Sequence, residues 1–120
     1  MNILAIDDSR TIRELLKHAL GNAGFQVTTA DDGVEGCETF EQIETDVVIT
    51  DINMPRMDGF GVIETIRAGD TNSRVPILVL TTESGDDLKS RARQAGATGW
   101  IVKPFDDTAL ISALKRVAGA

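Results

Sequence analysis

Five short apolar runs alternate along the chain with five stretches in which apolar residues return every three or four positions. The first run is Ile3-Leu4-Ala5-Ile6, and behind it Ile12, Leu15, Leu16, Ala19 and Leu20 keep the spacing of one helix face. Asn22-Ala23-Gly24 supplies a stop. Phe25-Gln26-Val27-Thr28 alternates apolar with polar, as a half-exposed strand does, and Val34, Cys37 and Phe40 mark a second helix. Val47-Val48-Ile49 is a third run, followed by a helix through Phe60, Ile63 and Ile66 that closes near Gly69. Ile77-Leu78-Val79-Leu80 precedes a weak stripe of Leu88, Ala92 and Ala95, stopped by Gly96. Trp100-Ile101-Val102 and a helix through Leu110, Leu114 and Val117 complete the series. Repeated strand-helix units of this kind predict an α/β fold, a doubly wound parallel sheet with helices on both faces.

The runs also predict the order of the strands. Strands buried on both faces are continuously apolar, whereas edge strands alternate or are short. The first, third and fourth runs are continuous, the second alternates and the fifth is short. Runs two and five therefore belong at the edges, giving the order 2-1-3-4-5 of a flavodoxin-like (βα)5 sheet. Its switch point lies between strands one and three, so function is expected where they end, at Asp7-Asp8 and Asp51.

The 120 residues suit one domain spanning 1–120, with no Pro-, Gly- or Ser-rich linker. A net charge of −7 disfavours nucleic acid and anionic lipid as partners. One cysteine, Cys37, precludes an internal disulfide and argues against structural zinc, which fits a reducing, cytoplasmic setting. No apolar run approaches the length of a signal sequence or a membrane span.

Four Asp-Asp pairs fall between a strand and the next helix: Asp7-Asp8, Asp31-Asp32, Asp86-Asp87 and Asp106-Asp107. For any pair taken alone, helix capping is the plainer reading. It is kept for the last three. Asp7-Asp8 differs because it directly ends a central strand, with Ser9 next as an available cap, and Asp51 ends the neighbouring strand in the same way. Three carboxylates would then meet in one crevice. Two of them about 4 Å apart repel by roughly 4 kcal/mol at an effective dielectric of 20, so the cluster must take up a proton or hold a cation. Oxygen donors without His or Cys favour magnesium, or manganese in its place, over zinc. The single histidine, His18, is expected on a solvated face of the first helix.

Thr81-Thr82 ends the fourth strand and Lys103-Pro104 the fifth. Alone, Lys103 reads as a snorkelling surface lysine and Thr81 as a strand or cap residue. Their convergence with the acids carries the weight. Carboxylates from two strands, a hydroxyl from a third and an ammonium from a fourth can together bind one phosphoryl group bridged by one metal.

Five blocks carry a family likeness: Ile6-Asp7-Asp8-Ser9, Asp51-Ile52-Asn53-Met54-Pro55, Met57-Asp58-Gly59, Leu80-Thr81-Thr82 and Val102-Lys103-Pro104-Phe105. In this order and at these intervals the chain resembles the response-regulator receiver domains of two-component systems. The resemblance implies that Asp51 accepts a phosphoryl group from a histidine kinase. It implies magnesium held by Asp8, Asp51 and the backbone carbonyl of Asn53, with Asp7 acting through water. Lys103 would contact the phosphate, Thr81 would reposition towards it, and the Lys103-Pro104 bond would be cis. Asn53 and Glu83 stand where the family tunes phosphate lifetime. Trp100 stands at the position of the family's rotating aromatic; as a plain residue it would cover an edge strand, and the sequence leaves both readings open.

Within the family the likeness is nearest to single-domain chemotaxis regulators. Thr82, where a smaller residue is usual, and Trp100, where Tyr is familiar, depart from that pattern. The expectation is a monomeric signalling protein that catalyses only its own phosphorylation and dephosphorylation. With the last helix ending the chain, output passes to a partner, the flagellar motor switch being one candidate. A phosphate sink or relay receiver outside chemotaxis is the alternative. An aspartyl phosphohydrolase fits less well, because Asn53 stands where a second Asp is needed. A flavin carrier is disfavoured by Asp7-Asp8 in the phosphate loop, and a P-loop enzyme by the missing Gly-rich motif.

Overall fold

The computed structural model describes residues 1–119. In chain order its elements are β1 (Asn2–Ile6), α1 (Arg10–Asn22), β2 (Gln26–Ala30), α2 (Gly33–Gln42), β3 (Val47–Thr50), α3 (Gly59–Ala68), β4 (Ile77–Thr81), α4 (Asp86–Ala95), β5 (Gly99–Val102) and α5 (Asp107–Val117). The five strands are parallel and lie in the order β2-β1-β3-β4-β5. This is the flavodoxin-like order expected from the apolar runs.

The period-two geometry of a strand sends alternate residues to opposite faces, and both faces are covered. Leu4, Ile6, Val48, Ile77 and Val79 join Phe40, Phe60, Val62, Ile63 and Ile66 beneath α2 and α3. Ile3, Ala5, Val47, Ile49, Leu78 and Leu80 join Leu16, Leu20, Leu110 and Leu114 beneath α1 and α5. Every residue of β3 and β4 is buried, whereas β2 alternates and β5 is only partly covered. No helix among the described residues is long and apolar enough to cross a membrane.

Most helix starts follow the sequence. Ser9, Asp32, Asp58 and Asp106 each accept an N–H from the first turn of the helix they cap. Asp86-Asp87 departs from expectation. Gly85 is the cap, without a side-chain bond, and both acids lie inside the first turn, where they meet the helix dipole but cannot cap. The second strand also begins later than its pattern implied, because Phe25 is buried against the α1 side before β2 starts. Leu15 leaves the apolar stripe of α1 and is 50% exposed. His18 is exposed, as expected.

Candidate functional site

Ile6 pairs with Thr50, and the Asp51 N–H donates to the Ile6 carbonyl at 3.0 Å. Asp7 and Asp51 are thus the first residues past two adjacent strand ends, and both are buried. Asp8 follows on the exposed lip. Carboxylate oxygens of Asp7, Asp8 and Asp51 lie within 4.8 Å of one another, the one such cluster of metal-ligating side chains among the described residues.

Lys103 reaches this cluster from the far end of β5. Its Nζ lies 2.7 Å from Asp7 Oδ2 and 2.8 Å from Asp51 Oδ2, with the side chain 9% exposed. The other oxygens of the two acids are fixed by backbone: Asp7 Oδ1 accepts the Ser9 N–H at 2.9 Å, and Asp51 Oδ1 the Ile52 N–H at 2.6 Å. Each buried carboxylate is therefore aimed by one amide and one ammonium. The Lys103–Pro104 bond is cis.

Burial and pairing pull against each other here. Burial pushes the Asp7 carboxyl above its ordinary range; Lys103 and the Ser9 N–H oppose it, and Asp51 adds to it. Burial alone would lower Lys103, but hydrogen bonds and charge from Asp51 and Asp7 outweigh it and hold the ammonium above its usual value. Both partners of one ion pair are thus raised, whereas pairing alone would lower the acid. The difference is desolvation, which costs Asp7 more than a single shared ammonium returns.

Four further residues singled out in the sequence form a chain of contacts around Glu83. Thr81 ends β4 fully buried, and its Oγ1 accepts the Glu83 N–H at 3.3 Å. The Trp100 indole Nε1 donates to the Glu83 carbonyl at 3.0 Å. The Asn53 amide donates to the Glu83 carboxylate at 3.2 Å. Trp100 also packs against the core beneath α2, α3 and α4. It therefore covers the edge strand and is tied to the β4–α4 loop at once, so the two readings of this residue are not exclusive. Thr82 is exposed.

Sequence reasoning gave no role to three residues that pack around the site. Arg13 donates to the Asp7 carbonyl at 2.8 Å. Gly59 lets α3 begin against Asp51: a Cβ there would sit 2.2 Å from the Asp51 carbonyl oxygen. Arg56 pairs with Asp32 at 3.2 Å. The Met57-Asp58-Gly59 block signalled Gly59; nothing in the pattern signalled the two arginines.

Fold and site together define a class: a doubly wound α/β domain whose acidic centre and lysine meet at the switch point of the sheet. Its sequence matches the response regulator receiver domain over residues 3–115, and the chain belongs to that family. It is 38% identical to the chemotaxis protein CheY1 of Helicobacter pylori strain J99, over 99% of this chain and 98% of that protein. The Vibrio cholerae chemotaxis protein CheY4 superposes with a TM-score of 0.93 at 42% identity, covering 97% of each chain. The receiver domain of sensor histidine kinase PA1611 from Pseudomonas aeruginosa PAO1 superposes at 0.91 with 28% identity, over 99% of this chain and 98% of that one. That structure has a magnesium ion coordinated in its active-site cleft. The chain is thus a CheY-like receiver domain of the two-component type.

Proposed function

We propose that Asp51 accepts a phosphoryl group from a phosphohistidine on a partner histidine kinase, and that the modified domain changes its affinity for a downstream protein in chemotaxis signalling. The observation that carries this reading is the Lys103 ammonium seated between Asp7 and Asp51 at 2.7 and 2.8 Å. A lysine buried there serves an anion that forms at Asp51.

The donor set fits a hard divalent ion. Three carboxylates converge within 4.8 Å, and no nitrogen or sulfur ligand stands among them. Asp8, Asp51 and the Asn53 carbonyl would hold magnesium, with Asp7 acting through water; magnesium in the PA1611 receiver cleft supports this assignment. Bound there, the ion would neutralise charge on the phosphoryl oxygens.

The residues of the chain do the rest. An Asp51 carboxylate oxygen attacks phosphorus, the P–N bond to the donor imidazole breaks, and an acyl phosphate remains on Asp51. Catalysis is positioning and charge neutralisation, with Lys103 as the fixed cation. Thr81 turns its hydroxyl to the new oxygens, which perturbs the Glu83 backbone and the Trp100 indole bonded to it. Asn53 and Glu83 face one another across the mouth and set how quickly water reaches the acyl phosphate. The likeness to the CheY1 and CheY4 chemotaxis proteins supports the chemotaxis role.

Incubation with a labelled small acyl phosphate tests the reaction. Uptake is expected only with a divalent ion, and Asp51→Asn is expected to take up none. Label on Asp51→Asn at the wild-type rate would falsify the assignment.

A further inference from the structure

Between β3 and α3 the chain turns sharply at Arg56. The Met57 N–H donates to the Pro55 carbonyl at 2.7 Å, closing a three-residue turn around Arg56, whose φ is +68°. A γ-turn with positive φ is rare and strained for a residue that carries a Cβ. Glycine would relieve the strain, yet arginine occupies the position. Its Nε lies 3.2 Å from Asp32 Oδ2, with the arginine side chain 56% exposed and that of the aspartate 11%. Asp32 is anchored in turn, because its Oδ1 caps α2 through the Glu35 N–H at 2.8 Å. Backbone contact closes the same junction: a Cβ on Gly33 would lie 2.3 Å from the Met57 carbonyl oxygen.

We infer that Arg56 is a positioning residue. Its ion pair with Asp32 clamps the strained turn to the start of α2 and so fixes the loop that carries the Asn53 carbonyl beside Asp51. This rests on the proposed function, because the clamp matters only if that carbonyl is a magnesium ligand. Arg56 touches neither the ion nor the phosphoryl group; it acts through the loop.

The sign of its effect separates clamping from simple charge. As a bystander cation near an acidic cluster, Arg56 would repel magnesium, and its removal would tighten binding. As a clamp, its removal weakens binding. An exposed ion pair is worth little, so the expected change is about two- to fivefold.

The test is calorimetric titration with magnesium alone, paired with labelling rates across magnesium concentration. Arg56→Gln should raise both the dissociation constant and the half-saturating magnesium about two- to fivefold, with the rate at saturation unchanged. Arg56→Lys should restore part of the loss. Asp32→Asn keeps a good cap and removes the charge, so it should weaken binding similarly. The double variant has the wild-type net charge and should bind no worse than either single change, the mark of one shared interaction. Tighter or unchanged binding in Arg56→Gln, or losses that multiply in the double variant, overturns the clamp. If the wild type itself binds no magnesium and takes up no label, the proposed function fails instead.

Discussion

Asp7 sits buried where ionisation is costly, with Lys103 offsetting only part of the cost. Its folded-state pKa lies above 3.8, the ordinary value for an aspartate and that of the unfolded chain. The sign follows: the neutral acid favours the fold below 3.8, and that contribution is lost as pH rises through the folded value. At neutral pH ionised Asp7 is therefore a burden on stability, kept where a charged site has use for it. Asp7→Asn should unfold at a higher temperature than the wild type at pH 7, with the gain disappearing as pH falls below 3.8. Thermal melts across pH give the answer; a variant less stable at pH 7 would show that Lys103 over-compensates burial. The sequence made the acids legible because they end central strands, and Lys103 because it ends another. Arg13, Arg56 and Arg67 were not legible. Each bonds a group six or more positions away through a long side chain, and periodicity carries no record of such reach.

Helix α4 shows how an element can be held without much apolar surface. Ala92 is its one buried residue, and its cap lacks a side-chain bond. Two arginines compensate. Arg91 lies 3.9 Å over the ring of Phe60 in α3. Arg67 at the end of α3 donates from Nε and Nη2 to the Gly96 carbonyl, at 3.0 and 2.8 Å, and from Nη1 to Ser73 at 2.8 Å. Gly96, in the left-handed region at φ +115°, ends the helix and presents that carbonyl. Arg67→Ala should cost about 1.5–3 kcal/mol, the range for hydrogen bonds to a charged group, and should speed amide exchange in α4 more than in α1. Uniform exchange across the helices would mean that Arg67 stabilises the whole fold rather than α4. The weak stripe of Leu88, Ala92 and Ala95 was visible in the sequence. The polar clasp that keeps α4 in place was not, because it joins the ends of two helices far apart in the chain.

At the scale of the whole molecule, strand order decides where chemistry can occur. Runs buried on both faces had to be central, which placed the ends of β1 and β3 side by side and brought Asp7, Asp8 and Asp51 to one rim. That convergence was legible in the sequence alone, because it needs only apolar patterning and parallel crossover geometry. The contacts through Glu83 were not, since loop conformation decides them. If the rim holds magnesium as proposed, ion binding and folding are one equilibrium: the ligands come from two separate strand ends, converge only in the folded chain, and so bind the ion there and not in the unfolded one. Magnesium at 100 times its dissociation constant should therefore add about 2.7 kcal/mol to the free energy of unfolding. Asp8→Asn should lose most of that gain at little structural cost, because Asp8 is exposed. Asp70→Asn, an equal change of charge at an exposed site in the loop before β4, should keep it. Denaturant melts with and without magnesium compare the three proteins. Equal gains in all of them would mean that the cation answers to the net charge of −7 rather than to the acids at the switch point.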